Sequence, residues 1–137
     1  MEHFSIINKV ILAPMVRIGT LPFRRLCAKH GADIIFTEEI IDKKLISCKK
    51  IYNPDLKTND YIYKDGSLAL RIHEEEKNNL ILQIGTSSPK SAVEAALLVK
   101  DDVIGIDVNM GCPKHFSTHG NMGSSLLALP DLVKEVL

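Results

Sequence analysis

The sequence predicts an α/β fold built on a parallel sheet, and three observations carry that prediction. Short, strongly apolar, β-forming runs recur at residues 9–15, 32–37, 80–85 and 103–108. Near-continuous apolar runs of this kind, without strict alternation, are what strands buried on both faces require. Helical segments lie between them, giving the strand–helix rhythm of a parallel sheet. Each run also ends in residues that are polar or that expose backbone: Ala13-Pro14-Met15, Glu38-Glu39, Gln83, and Asn109-Met110-Gly111-Cys112. Right-handed crossovers place the C-terminal ends of all such strands on one rim.

The first run stops at Pro14, which cannot donate to a sheet ladder and belongs at a strand's exit. Thr20 is placed to cap a helix with Pro22 in its first turn. Phe23, Leu26 and Cys27 fall on one face of that helix and Gly31 ends it, so Cys27 reads as core. After the second strand, residues 40–52 can form a helix, with lysines at 43, 44, 49 and 50 beside Leu45, Ile46 and Ile51. Residues 61–63 and 68–72 flank Lys64-Asp65-Gly66-Ser67, a hairpin signal. Glu74, Glu75 and Glu76 read as a solvated face. The third strand leads to an alanine- and leucine-rich helix over residues 89–99, capped by Ser87 or Ser88. The fourth strand follows, and a last helix begins at Pro130. There is no internal repeat and no linker that divides the chain.

Composition narrows the class. With 137 residues, 45% hydrophobic and 25% charged, the chain reads as one soluble unit of ordinary domain size. Seventeen basic and seventeen acidic residues cancel, so overall charge does not argue for nucleic-acid binding, although a local basic patch stays open. Cys27, Cys48 and Cys112 are too few and too scattered for a disulfide framework, and no C-x-x-C pair suggests zinc. A reducing, cytoplasmic setting follows, with no metal expected. The apolar run from Val10 to Val16 contains Pro14 and is far too short to span a bilayer, so no membrane partner is expected.

The stretch with most chemistry is Asp107-Val108-Asn109-Met110-Gly111-Cys112-Pro113-Lys114. Gly111 lets the backbone turn or approach a ligand, and Pro113 fixes φ just after the cysteine. Alone, this is an ordinary strand end with a small buried cysteine. Three earlier strand ends converging on the same rim turn it into a candidate site, because in a (β/α)₈ barrel that rim carries the active site.

These motifs resemble the tRNA-dihydrouridine synthases, flavin-dependent barrels that reduce uridine in transfer RNA. The resemblance rests on Leu12-Ala13-Pro14-Met15-Val16, Gly31-Ala32-Asp33, Gln83-Ile84-Gly85 and residues 107–114, with the glycine-containing loop and helix start at 120–127. Residues 16–22 and 37–42 look like the eukaryotic type-two branch. The resemblance implies that Pro14, Met15 and Val16 line the FMN ring system and that Gln83 hydrogen-bonds it. Glu39 matches a flavin contact of that branch, although Glu38 could equally be the inward one, since side chains alternate along a strand. Asn109 would hold the target uracil and Cys112 would be the catalytic acid. NADPH is the implied electron source and tRNA the implied partner. Met15 and Met110 could also be core fillers. His115 and His119 could contact phosphate or base, or be solvated. Arg17, Arg24, Arg25, Lys43, Lys44, Lys49 and Lys50 could face tRNA or simply be solvated.

Length departs from the family. A (β/α)₈ barrel needs about 250 residues, and this chain holds roughly four βα units. It is therefore read as the first half of a TIM (β/α)₈ barrel: a partial FMN-binding catalytic domain over residues 1–137, truncated at its C-terminus. The family's flavin-contacting lysine and histidine on later strands, and its phosphate-binding loops, fall outside such a half. The first and fourth strands are expected to have unpaired apolar edges. Asn121 stands where the type-two branch tends to have glycine; Asn tolerates the left-handed conformation the loop would need. The rival readings are another FMN barrel such as a dihydroorotate dehydrogenase, and a non-catalytic half-barrel.

Overall fold

A computed structural model describes residues 6–137. Its main sheet is parallel. Strand β1 (Ile11–Leu12) pairs with β2 (Ile34–Phe36), which pairs with β7 (Leu80–Gly85), and β7 pairs with β8 (Gly105–Val108). Helix α1 (Leu21–Lys29) links the first two strands, and α3 (Pro89–Val99) links the last two. This is the order of four successive strands in one arc of a parallel barrel.

The second strand is interrupted. Its continuation, β3 (Ile40–Ile41), lies against the far end of β7, with Ile40 opposite Ile84 and Ile41 opposite Gly85. Between the two pieces Thr37 is buried, and its Oγ accepts the Gln83 backbone N–H at 3.1 Å. A side-chain oxygen thus replaces a ladder carbonyl, and the strand bends there.

The sheet's two faces differ because side chains alternate. Leu80, Leu82 and Ile84 pack with Ala92, Ala95 and Val99 of α3 in the main core. Ile81, Gln83 and Gly85 therefore face the other way, into the concave side. Ser88 caps α3 by accepting the Ser91 N–H at 3.3 Å, as the helix-start reading expects.

Residues 40–52 are the main departure from the sequence reading. Helix α2 (Asp42–Ile46) is one short turn, and the chain re-extends as β4 (Lys49–Asn53). This strand pairs with β5 (Thr58–Ile62), which forms the expected hairpin with β6 (Leu68–His73). Distant pairing outweighs the local helical spacing. The three-stranded sheet is fastened to the barrel arc at Asp102, whose carboxylate accepts from Asn59 Nδ2 at 2.8 Å and from the buried Tyr61 hydroxyl. Lys50 Nζ lies 2.6 Å from the same carboxylate, so this lysine serves the fold.

Helix α1 also corrects an expectation. Leu26 is 51% exposed, whereas Arg24 is buried and forms a bidentate pair with Glu76 at 2.8 and 2.9 Å. Glu76 sits in a 3₁₀ turn (Glu74–Asn78) and is itself buried, so neither residue belongs to a solvated face. Beyond β8 come the short helix α4 (His115–His119), a 3₁₀ segment (Gly123–Ala128) and α5 (Pro130–Val136), the last starting at Pro130 as expected. No helix among the described residues is long and apolar enough to cross a membrane.

Candidate active site

The C-terminal ends of the parallel strands gather the sequence-predicted residues on one rim. Gln83 and Asp107 lie directly opposite each other on β7 and β8. Gln83 Nε2 donates to Asp107 Oδ2 at 2.7 Å. Gly85, two residues on, faces the same side. A Cβ there would stand 2.5 Å from Glu39 Oε1, so the absent side chain makes room for the Glu39 carboxyl. Glu39 Oε1 is buried without a hydrogen-bond partner among the described residues. Burial pushes this carboxyl above the usual glutamate range, while the Asn109 side-chain amide pulls it partly back. Glu39 is therefore the inward one of the pair. Glu38 turns to the β1–α1 loop, where Oε2 accepts the Arg17 backbone N–H at 2.8 Å.

The cysteine loop is built by Asn109. Its Oδ1 accepts both the Gly111 N–H at 2.9 Å and the Cys112 N–H at 3.0 Å. This closes a tight turn just past β8 and fixes the backbone that carries Cys112. From the other side, the Cys112 carbonyl accepts the Ser124 N–H at 3.0 Å. Gly123 adopts φ +60°, and a Cβ there would meet the Cys112 oxygen at 2.4 Å. Asn121 does take the left-handed conformation, at φ +54°, so the loop tolerates the replacement of glycine there.

The β1–α1 loop forms the third wall. Pro14 and Met15 are half-buried and Val16 is exposed at the strand exit. The Met15 carbonyl accepts from Ile18 N at 3.1 Å and Gly19 N at 2.8 Å. Gly19 passes so close to β2 that a Cβ would lie 2.9 Å from the Glu38 nitrogen. Val16, Glu38 and Glu39 line a cavity of about 260 Å³ with Phe116 of α4. Pro14, Met15, Gln83, Asn109 and Cys112 lie outside that cavity's lining; of these, Asn109 reaches it through the Glu39 carboxyl.

Arg24 reaches this wall from behind, because its Nη1 donates to the Gly19 carbonyl at 2.8 Å. Asp107, Thr37, Gly85 and Gly123 also shape the rim without having been singled out as site residues. Asp107 had a signal in the sequence: it lies two residues before Asn109 on one strand and so shares its face.

Comparison with known proteins now decides the family. The profile of dihydrouridine synthase (Dus) matches residues 11–137. The chain belongs to the dihydrouridine synthase family. It is 48% identical over 137 aligned residues to the tRNA-dihydrouridine(20) synthase [NAD(P)+] of Saccharomyces cerevisiae, covering 95% of this chain and 36% of that protein. It is 47% identical over 134 residues to the tRNA-dihydrouridine(20) synthase [NAD(P)+] of Schizosaccharomyces pombe, covering 95% of this chain and 28% of that one. Against tRNA-dihydrouridine synthase B of Pasteurella multocida the identity is 32% over 136 residues, covering 98% of this chain and 36% of that protein. The chain thus spans about a third of the length of these curated relatives. The family is one of TIM barrels, and the four-strand parallel arc of this chain is part of one.

Proposed function

We propose that this chain carries the substrate-facing rim of a flavin-dependent tRNA-dihydrouridine synthase that reduces the C5–C6 double bond of a D-loop uridine. The observation that carries the reading is the Asn109–Cys112 turn, which fixes a cysteine backbone at a strand end beside the buried, unpartnered Glu39 oxygen. An orphan acceptor beside amide groups suits a ligand rich in N–H, hydroxyl and carbonyl groups, and FMN is such a ligand. Gln83 and Glu39 would hold its polar edge, with Pro14, Met15 and Val16 along the ring system. When bound and reduced by NADPH, FMN supplies the hydride that ends on C6.

The chain's own residues supply the rest. Cys112 gives its thiol proton to C5; the C5–C6 π bond opens, a C5–H bond forms, and a thiolate remains to be reprotonated from solvent. Asn109 uses Oδ1 to set the Cys112 backbone and turns its amide NH₂ toward Glu39, which leaves the second N–H to hold a uracil carbonyl. The base must leave its stack to reach them. Uridine 20 is the proposed target, since identity is 48% and 47% to the yeast proteins named for position 20 and 37% to the Schizosaccharomyces pombe protein named for 20a and 20b.

The test is turnover by the holoenzyme with NADPH, offered either unmodified tRNA or dihydroorotate. Dihydrouridine in the tRNA at position 20 is the expected product. Activity on dihydroorotate alone would assign the rim to a different flavin barrel.

A further inference from the structure

We propose that Asp107 is a positioning residue for cofactor binding: it sets which end of the Gln83 amide faces the ligand. This rests on the reading of the rim as a flavin site. A glutamine amide can present its oxygen or its NH₂ group to a ligand, and a half-turn swaps them at almost no steric cost. Asp107 removes that freedom. It stands opposite Gln83 in register and accepts from Nε2 at 2.7 Å. The flipped amide would set Gln83 Oε1 against a carboxylate oxygen, with no hydrogen between them to share.

The Gln83 backbone is held as firmly from the other side. Its N–H donates to Thr37 Oγ at 3.1 Å, and Thr37 Oγ donates in turn to the Glu38 carbonyl at 2.7 Å. Thr37 is fully buried, so this anchor is shielded from water. Both neighbouring strands therefore fix Gln83: one its main chain, the other its side chain. What the amide offers a ligand is then Oε1 together with the second Nε2 hydrogen. That acceptor–donor order matches a ring edge carrying an N–H beside a carbonyl, which is the pattern on the pyrimidine side of an isoalloxazine. An asparagine at 107 could accept or donate, so it would hold Gln83 without choosing its orientation.

The test is a double-mutant cycle on FMN affinity of the holoenzyme, with a separate readout that needs no flavin. Asp107→Ala is expected to weaken FMN binding by roughly tenfold, the loss of one charge-assisted hydrogen bond, and Asp107→Asn by about threefold. In a Gln83→Ala background, Asp107→Ala should do nothing further. In the flavin-free chain, the Gln83 side-chain NH₂ resonances should be shifted and exchange-protected, and Asp107→Ala or Asp107→Asn should move them. Additive effects in the cycle, or NH₂ resonances identical in wild type and both variants, would overturn the role of Asp107. Unchanged FMN affinity in Gln83→Ala would overturn the flavin reading of the rim and this proposal with it.

Discussion

Arg24→Ala should destabilise the chain by about 3–5 kcal/mol, because it leaves a buried carboxylate without its partner. Four contacts are lost together: the two to Glu76 at 2.8 and 2.9 Å, one to the Gly19 carbonyl at 2.8 Å, and one to the Arg71 carbonyl at 2.7 Å. Glu76 is only 3% exposed, so water cannot take the guanidinium's place without opening the structure. The two orphaned carbonyls add to the loss, which places the figure in the upper half of the range. Glu76→Gln keeps the shape and one neutral acceptor, and should lose less, about 1.5–3 kcal/mol. Arg24→Met with Glu76→Leu removes both charges, and should be more stable than Arg24→Ala. Urea unfolding followed by far-UV circular dichroism measures all three. A loss below about 1 kcal/mol for Arg24→Ala, the value of an exposed pair, would refute the buried clamp.

Three further outcomes follow from the rim and the sheet edges. Gly123→Ala should cost about 1–2 kcal/mol from the left-handed backbone alone; overlap with the Cys112 carbonyl should also shift the Cys112 amide resonance, and an unmoved resonance would contradict the packing described. Burial raises the Glu39 pKa, so its contribution is intact below the ordinary value of 4.5 and is lost as pH rises through the higher folded value. Glu39→Gln should therefore gain stability relative to wild type as pH rises from 4.5 through the folded value, and a difference that does not grow as pH rises above 4.5 would count against a desolvated carboxyl. Finally, among the described residues the parallel sheet ends at β1 and β8; Val10 and Ile11 are exposed at the first edge, and Ile104 just before β8, with Val93 and Leu97 of α3 beside it, is exposed at the second. The 137-residue chain should self-associate at micromolar concentration, and light scattering that shows only monomer would contradict this.

Much of the architecture was legible because it depends on local pattern. The runs at 80–85 and 89–99 became β7 and α3 with matching bounds, since both the apolar period and the Ser88-Pro89 start act over a few residues. The segment 40–52 was not legible. Its lysines and isoleucines fit a helix locally, and only pairing with β5 explains why residues 49–53 extend. Arg24 and Glu76 were misread for the same reason: 52 residues separate them, and no local period reports a buried ion pair between distant elements. At the rim, motif residues were visible by type and their partners were not. That Asn109 spends its oxygen on the Cys112 loop, and that Glu39 rather than Glu38 turns inward, are facts of register and close packing. The β1 strand was overextended in the sequence reading: ladder pairing is confined to Ile11–Leu12, because Pro14 and the turn closed on the Met15 carbonyl end it early.

The most direct test of the central claim is single-turnover reduction of unmodified tRNA by the Cys112→Ala holoenzyme. The substitution should leave the flavin bound and reducible by NADPH, because the loop is held through the Asn109 side chain and the Cys112 backbone, not through the thiol. Dihydrouridine formation should fall by about 100-fold or more, the usual contribution of a positioned general acid. A rate within about threefold of wild type would remove Cys112 from proton transfer.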